Sequence, residues 1–262
     1  MIPSAAAGFQ GKPQAPGIAP VRLRLLSSIA LVLAWQILAW AIHSSLLPSP
    51  LDVVDLAWRD TLSGQLPHDL AATLRRVGIA FAISMVLGST IGVVMGRSRT
   101  TDLVLDPWLI LFLNIPALVT IILCYVWFGL GEAAAIVAIT VNKIPNVVVT
   151  LREGARALDT DFMEMAASFR IGRRKTLLYV VLPQLLPFFA VAARSGLALI
   201  WKIVLVVELL GRSNGVGFQL GTFFQFFDIS GILAYTLAFA LVVLLAEGLL
   251  LRPLEKRLTR WR

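Results

Sequence analysis

The residues of this sequence best placed to do chemistry are ionisable side chains buried within long apolar runs. Lys143 sits among Asn142, Pro145 and Asn146; Arg194, Lys202 and Glu208 share a second run. A charge inside a membrane span is costly unless it is paired or faces a cavity. Two readings of Lys143 follow. It is a pathway residue that attracts an anion, helped by a helix break at Pro145, or it forms a structural pair with Glu132, Glu208 or another acid. Lys202 and Glu208 lie six residues apart and face different ways, so neither satisfies the other within one helix. Arg194 and Lys202, eight apart, share a face. The two lysines favour an anion over a cation along any route they line. Asn114, just before Pro116, either lines a kinked pore helix or eases the kink with a hydrogen bond.

Other chemistries find no support. His43 and His68 are too remote from further ligands to form a metal motif. The phosphate-cradling pattern Gly-x4-Gly-Lys-Ser/Thr does not occur, so any ATP is hydrolysed by another chain. No nucleophile, base and metal cluster together as an intramembrane enzyme would require. The single cysteine, Cys124, rules out an intrachain disulfide scaffold.

The setting of these residues is lipid. Of 262 residues, 58% are hydrophobic and 15% charged, against about 25% charged in a soluble domain. The mean hydropathy is +0.84. The apolar residues fall in blocks of bilayer-spanning length, the first three without a charge: Leu25–Ile42, Val77–Gly96, Pro107–Gly131 broken by Pro116, Ala133–Leu151 with Lys143, Leu185–Leu210 with Arg194, Lys202 and Glu208, and Ile229–Leu251 with Glu247. None has the alternation of a barrel strand. The expectation is an all-α integral membrane protein of about six transmembrane helices. With the N-terminus in the cytoplasm, inside segments hold 16 of the 23 Lys and Arg residues; outside segments hold only Arg59, Arg75, Arg76 and Arg212. Both termini are then cytoplasmic. The net charge of +8 is thus a topology signal and not a nucleic-acid footprint. Residues 1–20, rich in Ala, Pro and Gly, read as a disordered cytoplasmic tail, and 21–262 as the transmembrane domain, with Leu25–Ile42 a retained signal anchor. Leu51–Arg76 reads as one or two helices along the outer surface. Trp35, Trp40 and Trp261 suit an interfacial aromatic belt, and the outer phenylalanines Phe218, Phe223, Phe224, Phe226 and Phe227 suit either an interfacial segment or an external gate.

The inside loop, about residues 152–180, is too structured for a linker. Asp159 or Thr160 can cap a helix, with Asp161 and Glu164 in its first turns and Met163, Ala166 and Ala167 small or apolar. Gly172 breaks it before Arg173-Arg174-Lys175. Such a helix held beneath the membrane can enter a groove on a cytoplasmic partner.

Glu164-Met165-Ala166, Arg170 and Val180-Val181-Leu182-Pro183 resemble the cytoplasmic EAA loop of permease subunits of binding-protein-dependent ABC importers. Glu164, Ala166, Leu182 and Pro183 are in register. Met165 and Val180 replace Ala and Ile, and Arg170 stands where the pattern has Gly, with Gly172 able to supply the turn. Leu47-Pro48-Ser49-Pro50, Leu74-Arg75-Arg76, Trp127-Phe128-Gly129-Leu130-Gly131-Glu132, Arg194, Trp201, Glu208-Leu209-Leu210-Gly211 and Gly215-Val216-Gly217 are similar to the nitrate, sulfonate and taurine branch.

The resemblance implies a homodimeric importer channel in the bacterial inner membrane. Its partners would be two cytoplasmic ATPases, which carry ATP and Mg, and a periplasmic substrate-binding protein. This chain itself would bind no cofactor and no nucleic acid. Its coupling loop lies between spans four and five. The coupling residues would be Asp161, Met163, Glu164, Met165, Ala166, Ala167, Ser168, Phe169, Arg170 and Gly172, with Glu164 the polar contact to the ATPase or, more simply, a cap of its own helix. The pathway candidates are Asn114, Asn142, Lys143, Asn146, Trp201, Lys202 and Glu208. The cargo would be a small anion: a sulfonate, nitrate or an aromatic carboxylate. The rival reading is an ion-coupled carrier using Lys143, Lys202 and Glu208 as a proton relay, although no inverted repeat supports it.

Overall fold

The computed structural model describes residues 20–44 and 46–251. The tail expected before Pro20, and the basic segment from Arg252 with Trp261, lie outside them. The chain divides into two compact units, one up to Asp52 and one from Val53. In the first, α1 (Pro20–Ile42) is apolar all round, and few of its side chains are buried. Trp35 Nε1 donates to the carbonyl of Pro48 at 3.0 Å. Ser49 and Asp52 cap each other reciprocally at the start of α2 (Pro50–Leu62): Ser49 N–H donates to Asp52 Oδ2 at 3.1 Å, and Asp52 N–H to Ser49 Oγ at 3.2 Å. Pro50 fills the first helical position, where no N–H is needed.

The second unit is built around α6 (Glu132–Arg156), the spanning helix with the most buried side chains. Against it lies α3 (Gln65–Arg97), whose Gly88, Gly92 and Gly96 recur every fourth residue. A Cβ at Gly88 would stand 2.6 Å from Val147 Cβ, at Gly92 2.6 Å from the Val148 carbonyl, and at Gly96 2.6 Å from Ala155 Cβ. Only hydrogen fits there, so the two backbones meet. In lipid, where apolar surface gains nothing by leaving the solvent, such close packing is what joins helices.

α4 (Arg99–Asn114) and α5 (Ala117–Phe128) meet at a 98° bend around Pro116, a broken span or a re-entrant pair. Five helices are long and apolar enough to cross a membrane, or six if that pair counts as one. After α6 come α7 (Thr160–Ser168), α8 (Arg173–Thr176) and α9 (Leu182–Gly211), then α10 (Val216–Gln225) and α11 (Ile229–Ala246). Between α8 and α9 the helix widens over Leu177–Val181, where Leu182 N–H reaches the carbonyl of Leu177. The wide turn accommodates Pro183, which has no N–H to offer the preceding turn.

Three expectations need correction. Residues 65–76 are not a surface helix; they are the opening turns of α3, with Asp69, Thr73 and Arg76 buried. Polar side chains can lie there because they satisfy one another. No helix break accompanies Lys143: α6 runs unbroken through Pro145. The third span does not open at Pro107, which lies inside α4.

Gly92→Ala should lower the thermal stability of the purified chain by about 1–3 kcal/mol through overpacking against α6. Gly78→Ala, where a Cβ meets nothing within 4 Å, should not destabilise it. Thermal unfolding in detergent compares the two.

Candidate functional site

The loop after α6 folds as a short helix with both ends closed. At its start the Asp159 carboxylate accepts the Asp161 N–H at 2.8 Å, and Asp159 N–H donates to Gln184 Oε1 at 2.9 Å, fastening the loop to α9. At its end Ile171 N–H reaches the Ala166 carbonyl and Arg170 N–H the Ala167 carbonyl, both at 2.9 Å. This pair of bonds is a Schellman closure, whose penultimate residue must be left-handed. Arg170 occupies that position with φ of 50°. Gly172, expected to supply the turn, is extended at φ −60° and ψ 145°. The departure from the Gly pattern therefore falls on the residue that makes the turn.

One side of α7 packs inward. Ala166 is buried, and Met163 packs on a cluster of Ala155, Leu158, Val181 and Leu185. Outward lie Asp161, Glu164, Met165 and Ser168, all exposed, with Phe162 and Phe169 beside them. Ala167 is exposed at the edge. Glu164 has no hydrogen-bond or ion-pair partner among the described residues, and the capping is done by Asp159. At the same end of the unit, Arg152 pairs with Asp102 at 2.7 Å and Asp106 at 2.6 Å, and Arg156 with Asp102 at 2.5 Å, tying α4 to α6.

The opposite end holds a buried ion cluster that the sequence did not reveal. Arg76 and Glu208 are fully buried and pair at 2.6 Å. Arg76 also makes a two-pronged contact with Glu132, each bond 2.9 Å, and donates to the Asn214 side chain and carbonyl. Glu208 Oε2 accepts from Thr73 Oγ1 and from Gly217 N–H, both 2.9 Å. Asp69 accepts Gly215 N–H at 2.8 Å and Gln219 Nε2 at 2.9 Å, and Thr73 Oγ1 accepts Val216 N–H at 3.0 Å. The otherwise unpaired amides at the start of α10 are thus satisfied by side chains from α3 and α9. Leu74-Arg75-Arg76 and the glycines at 215 and 217 were the visible signals, but nothing in the sequence pairs them across more than 130 residues.

The pathway candidates do not converge. Lys143 is fully buried against Gly196, with the Ala192 carbonyl at 3.4 Å, and among the described residues no carboxylate pairs with it. Lys202 is exposed on the far side of α9 from buried Trp201 and Ile203. Glu208 belongs to the Arg76 cluster, so the three form no relay. Asn142 and Asn114 turn back onto the carbonyls of Ala138 and Ile110, at 2.8 and 2.7 Å. Asn146 is exposed. Trp201 alone of the set lines a cavity of about 790 Å3 walled mainly by α3 and α9, with Ala246 of α11 at its edge, and its ring meets Phe239 edge-on at 5.7 Å.

Arg170→Gly should stabilise the closed loop by about 1 kcal/mol by relieving the left-handed strain, seen as slower hydrogen exchange at the Ile171 amide. Arg76→Met should cost about 3–5 kcal/mol, because it leaves the Glu208 carboxylate buried and unpaired. Pairing it with Glu208→Met should restore part of the loss in thermal unfolding.

The description of a binding-protein-dependent transport system inner membrane component matches residues 84–259. The chain is 30% identical over 240 residues to the putative aliphatic sulfonates transport permease protein SsuC of Bacillus subtilis, covering 91% of this chain and 87% of that one. It is 29% identical to the taurine transport system permease protein TauC of Escherichia coli, covering 89% and 87%. A solved amino acid ABC transporter shares the fold at a TM-score of 0.62 and 20% identity, over 75% of this chain and 95% of that one. With a helix closed at both ends in the EAA register and a match across two thirds of its length, the chain belongs to the family of binding-protein-dependent transport system inner membrane components.

Proposed function

We propose that this chain forms the solute route of an ATP-driven importer for a small anion, and that α7 is the lever through which a separate ATPase drives it. The observation that carries the reading is the outer face of α7. It presents an unpaired Glu164 beside exposed Phe162, Met165 and Phe169, on a helix clamped at both ends and packed on its inner side. Apolar side chains exposed next to one unpaired carboxylate suit a groove on a protein partner. A rigid helix transmits force; a frayed loop does not.

Each chain carries one such helix, so two copies engage two ATPases. ATP and Mg belong to those partners, and this chain binds no cofactor of its own. Closure of the ATPase pair draws the two α7 helices together and reopens the route on the other side of the membrane, where a periplasmic binding protein delivers cargo. The sulfonate and taurine permeases among its relatives support an anionic cargo. The Lys and Arg distribution supports a bacterial inner-membrane setting with both termini cytoplasmic.

Purification in mild detergent from the native membrane should recover a Walker-motif ATPase in equal amount. Glu164→Lys should abolish ATP-driven uptake while membrane insertion is retained. Normal uptake by that variant would remove Glu164 from the coupling contact, and absence of any ATPase after crosslinking through Ser168→Cys would return the weight to an ion-coupled carrier.

A further inference from the structure

A second cavity, of about 380 Å3, lies behind α7, between the end of α3 and the turn that leads from α8 into α9. Its volume falls within the roughly 300–1,000 Å3 of small-molecule sites. Met163 and Ala166 line it from the inner side of α7. The residues proposed to meet the ATPase, Phe162, Glu164, Met165 and Phe169, line no part of it.

Two of its walls carry the same polarity gradient. On α3, Arg97 is the last helical residue, and Val93 stands one turn deeper, about 6 Å along the axis. On the other wall Arg173 opens α8, Leu177 follows one turn later and Val181 another. α3 runs towards this end of the unit and α9 away from it, so the two gradients point the same way. Charge lies at the rim and apolar side chains lie on the side of the spanning helices. Arg97 and Arg173 are both exposed, and neither has a carboxylate partner among the described residues. Two guanidiniums facing one cavity without a counter-charge repel each other, and an anion between them satisfies both.

What that anion is attached to follows from the rest of the lining. A free phosphate, or an acidic protein side chain, would meet the arginines and leave Val93, Leu177 and Val181 uncovered. A glycerophospholipid carries its phosphodiester next to apolar acyl chains, the order in which both walls present their groups. Leu177 is 53% exposed, so an acyl chain can leave the cavity over it into the bilayer. A zwitterionic headgroup would bring its own cation beside two guanidiniums, which favours an anionic one.

We infer that this cavity is a site for an anionic glycerophospholipid of the adjoining leaflet. Arg97 and Arg173 hold its phosphate, and its acyl chains lie along Val93, Leu177 and Val181. The site itself needs only the membrane fold. Its consequence rests on the transport reading, since a lipid seated there props the back of α7 against α3.

The test titrates the purified full-length chain in neutral detergent with phosphatidylglycerol or phosphatidylcholine and follows bound lipid by native mass spectrometry. Phosphatidylglycerol should bind, and Arg97→Gln combined with Arg173→Gln should weaken it roughly thirty-fold. Arg174→Gln combined with Lys175→Gln removes the same charge from exposed side chains outside the lining. That pair should weaken binding by about two-fold at most. Equal weakening by the two pairs would reveal a diffuse charge effect and overturn the site. So would equal binding of phosphatidylcholine, or displacement of the lipid by excess inorganic phosphate. Displacement on adding the ATPase would assign the cavity to that protein and overturn the site as well. Should the double variant fail to fold, Arg97→Gln alone should weaken binding roughly five-fold, and an unchanged affinity is equally fatal. In vesicles of the whole transporter, ATP-driven uptake should rise with the phosphatidylglycerol fraction, and the Arg97→Gln, Arg173→Gln pair should flatten that rise. Uptake indifferent to phosphatidylglycerol overturns the propping of α7. Specific lipid binding with no ATP-driven uptake at all would count against the transport reading and leave the lipid site standing.

Discussion

The contact of α3 with α6 through Gly88, Gly92 and Gly96 is the constraint on which the rest of the second unit depends. Between spans in lipid there is little hydrophobic gain to be had, so close van der Waals approach takes its place. Once the two backbones meet, the position and rotation of α3 are set. One face presses on Val147 and Leu151, its neighbour lines the groove facing α9, and its first turns bring Asp69, Thr73 and Arg76 to the start of α10. A side chain at Gly92 would alter all three at once.

The two ends of the unit use charge differently. At the α10 end, Arg76 is fully enclosed, and the carboxylates of Glu132 and Glu208 together with Asn214 meet its donors. Burial at that depth is tolerable only because each charged group has several partners. The result holds four helices and a loop in one geometry. At the α7 end the pairs of Arg152 and Arg156 with Asp102 and Asp106 are partly open to solvent. They position α4 but are worth less individually. The α7 end is thus fastened by weaker, wetter contacts than the α10 end.

α7 itself shows how local and tertiary rules meet. Its Asp159 cap is local chemistry, legible from an Asp ahead of a helical pattern. Its closure at Arg170 is not: a left-handed arginine is a strained choice, held by the bonds from Arg170 and Ile171 and by the inward packing of Ala166 and Met163. The outward face keeps its exposed phenylalanines and Glu164 because the inward face is the one the bundle has covered.

Much was legible in the sequence alone. Hydropathy blocks, the break at Pro116, the helical inside loop and the register of Glu164, Ala166, Leu182 and Pro183 determined an all-α membrane permease, because apolar length and capping chemistry act over a few neighbouring residues. The sequence also placed Lys143, Lys202 and Glu208 inside spans, but not what each one meets. Lys143 faces Gly196, Lys202 faces outward, and Glu208 pairs with an arginine that had been read as a surface charge. Those outcomes and the continuity of α6 through Pro145 were decided only by the tertiary structure. They depend on how helices far apart in the chain are rotated against one another, and that rotation is fixed by close packing between them, which no local window of sequence contains.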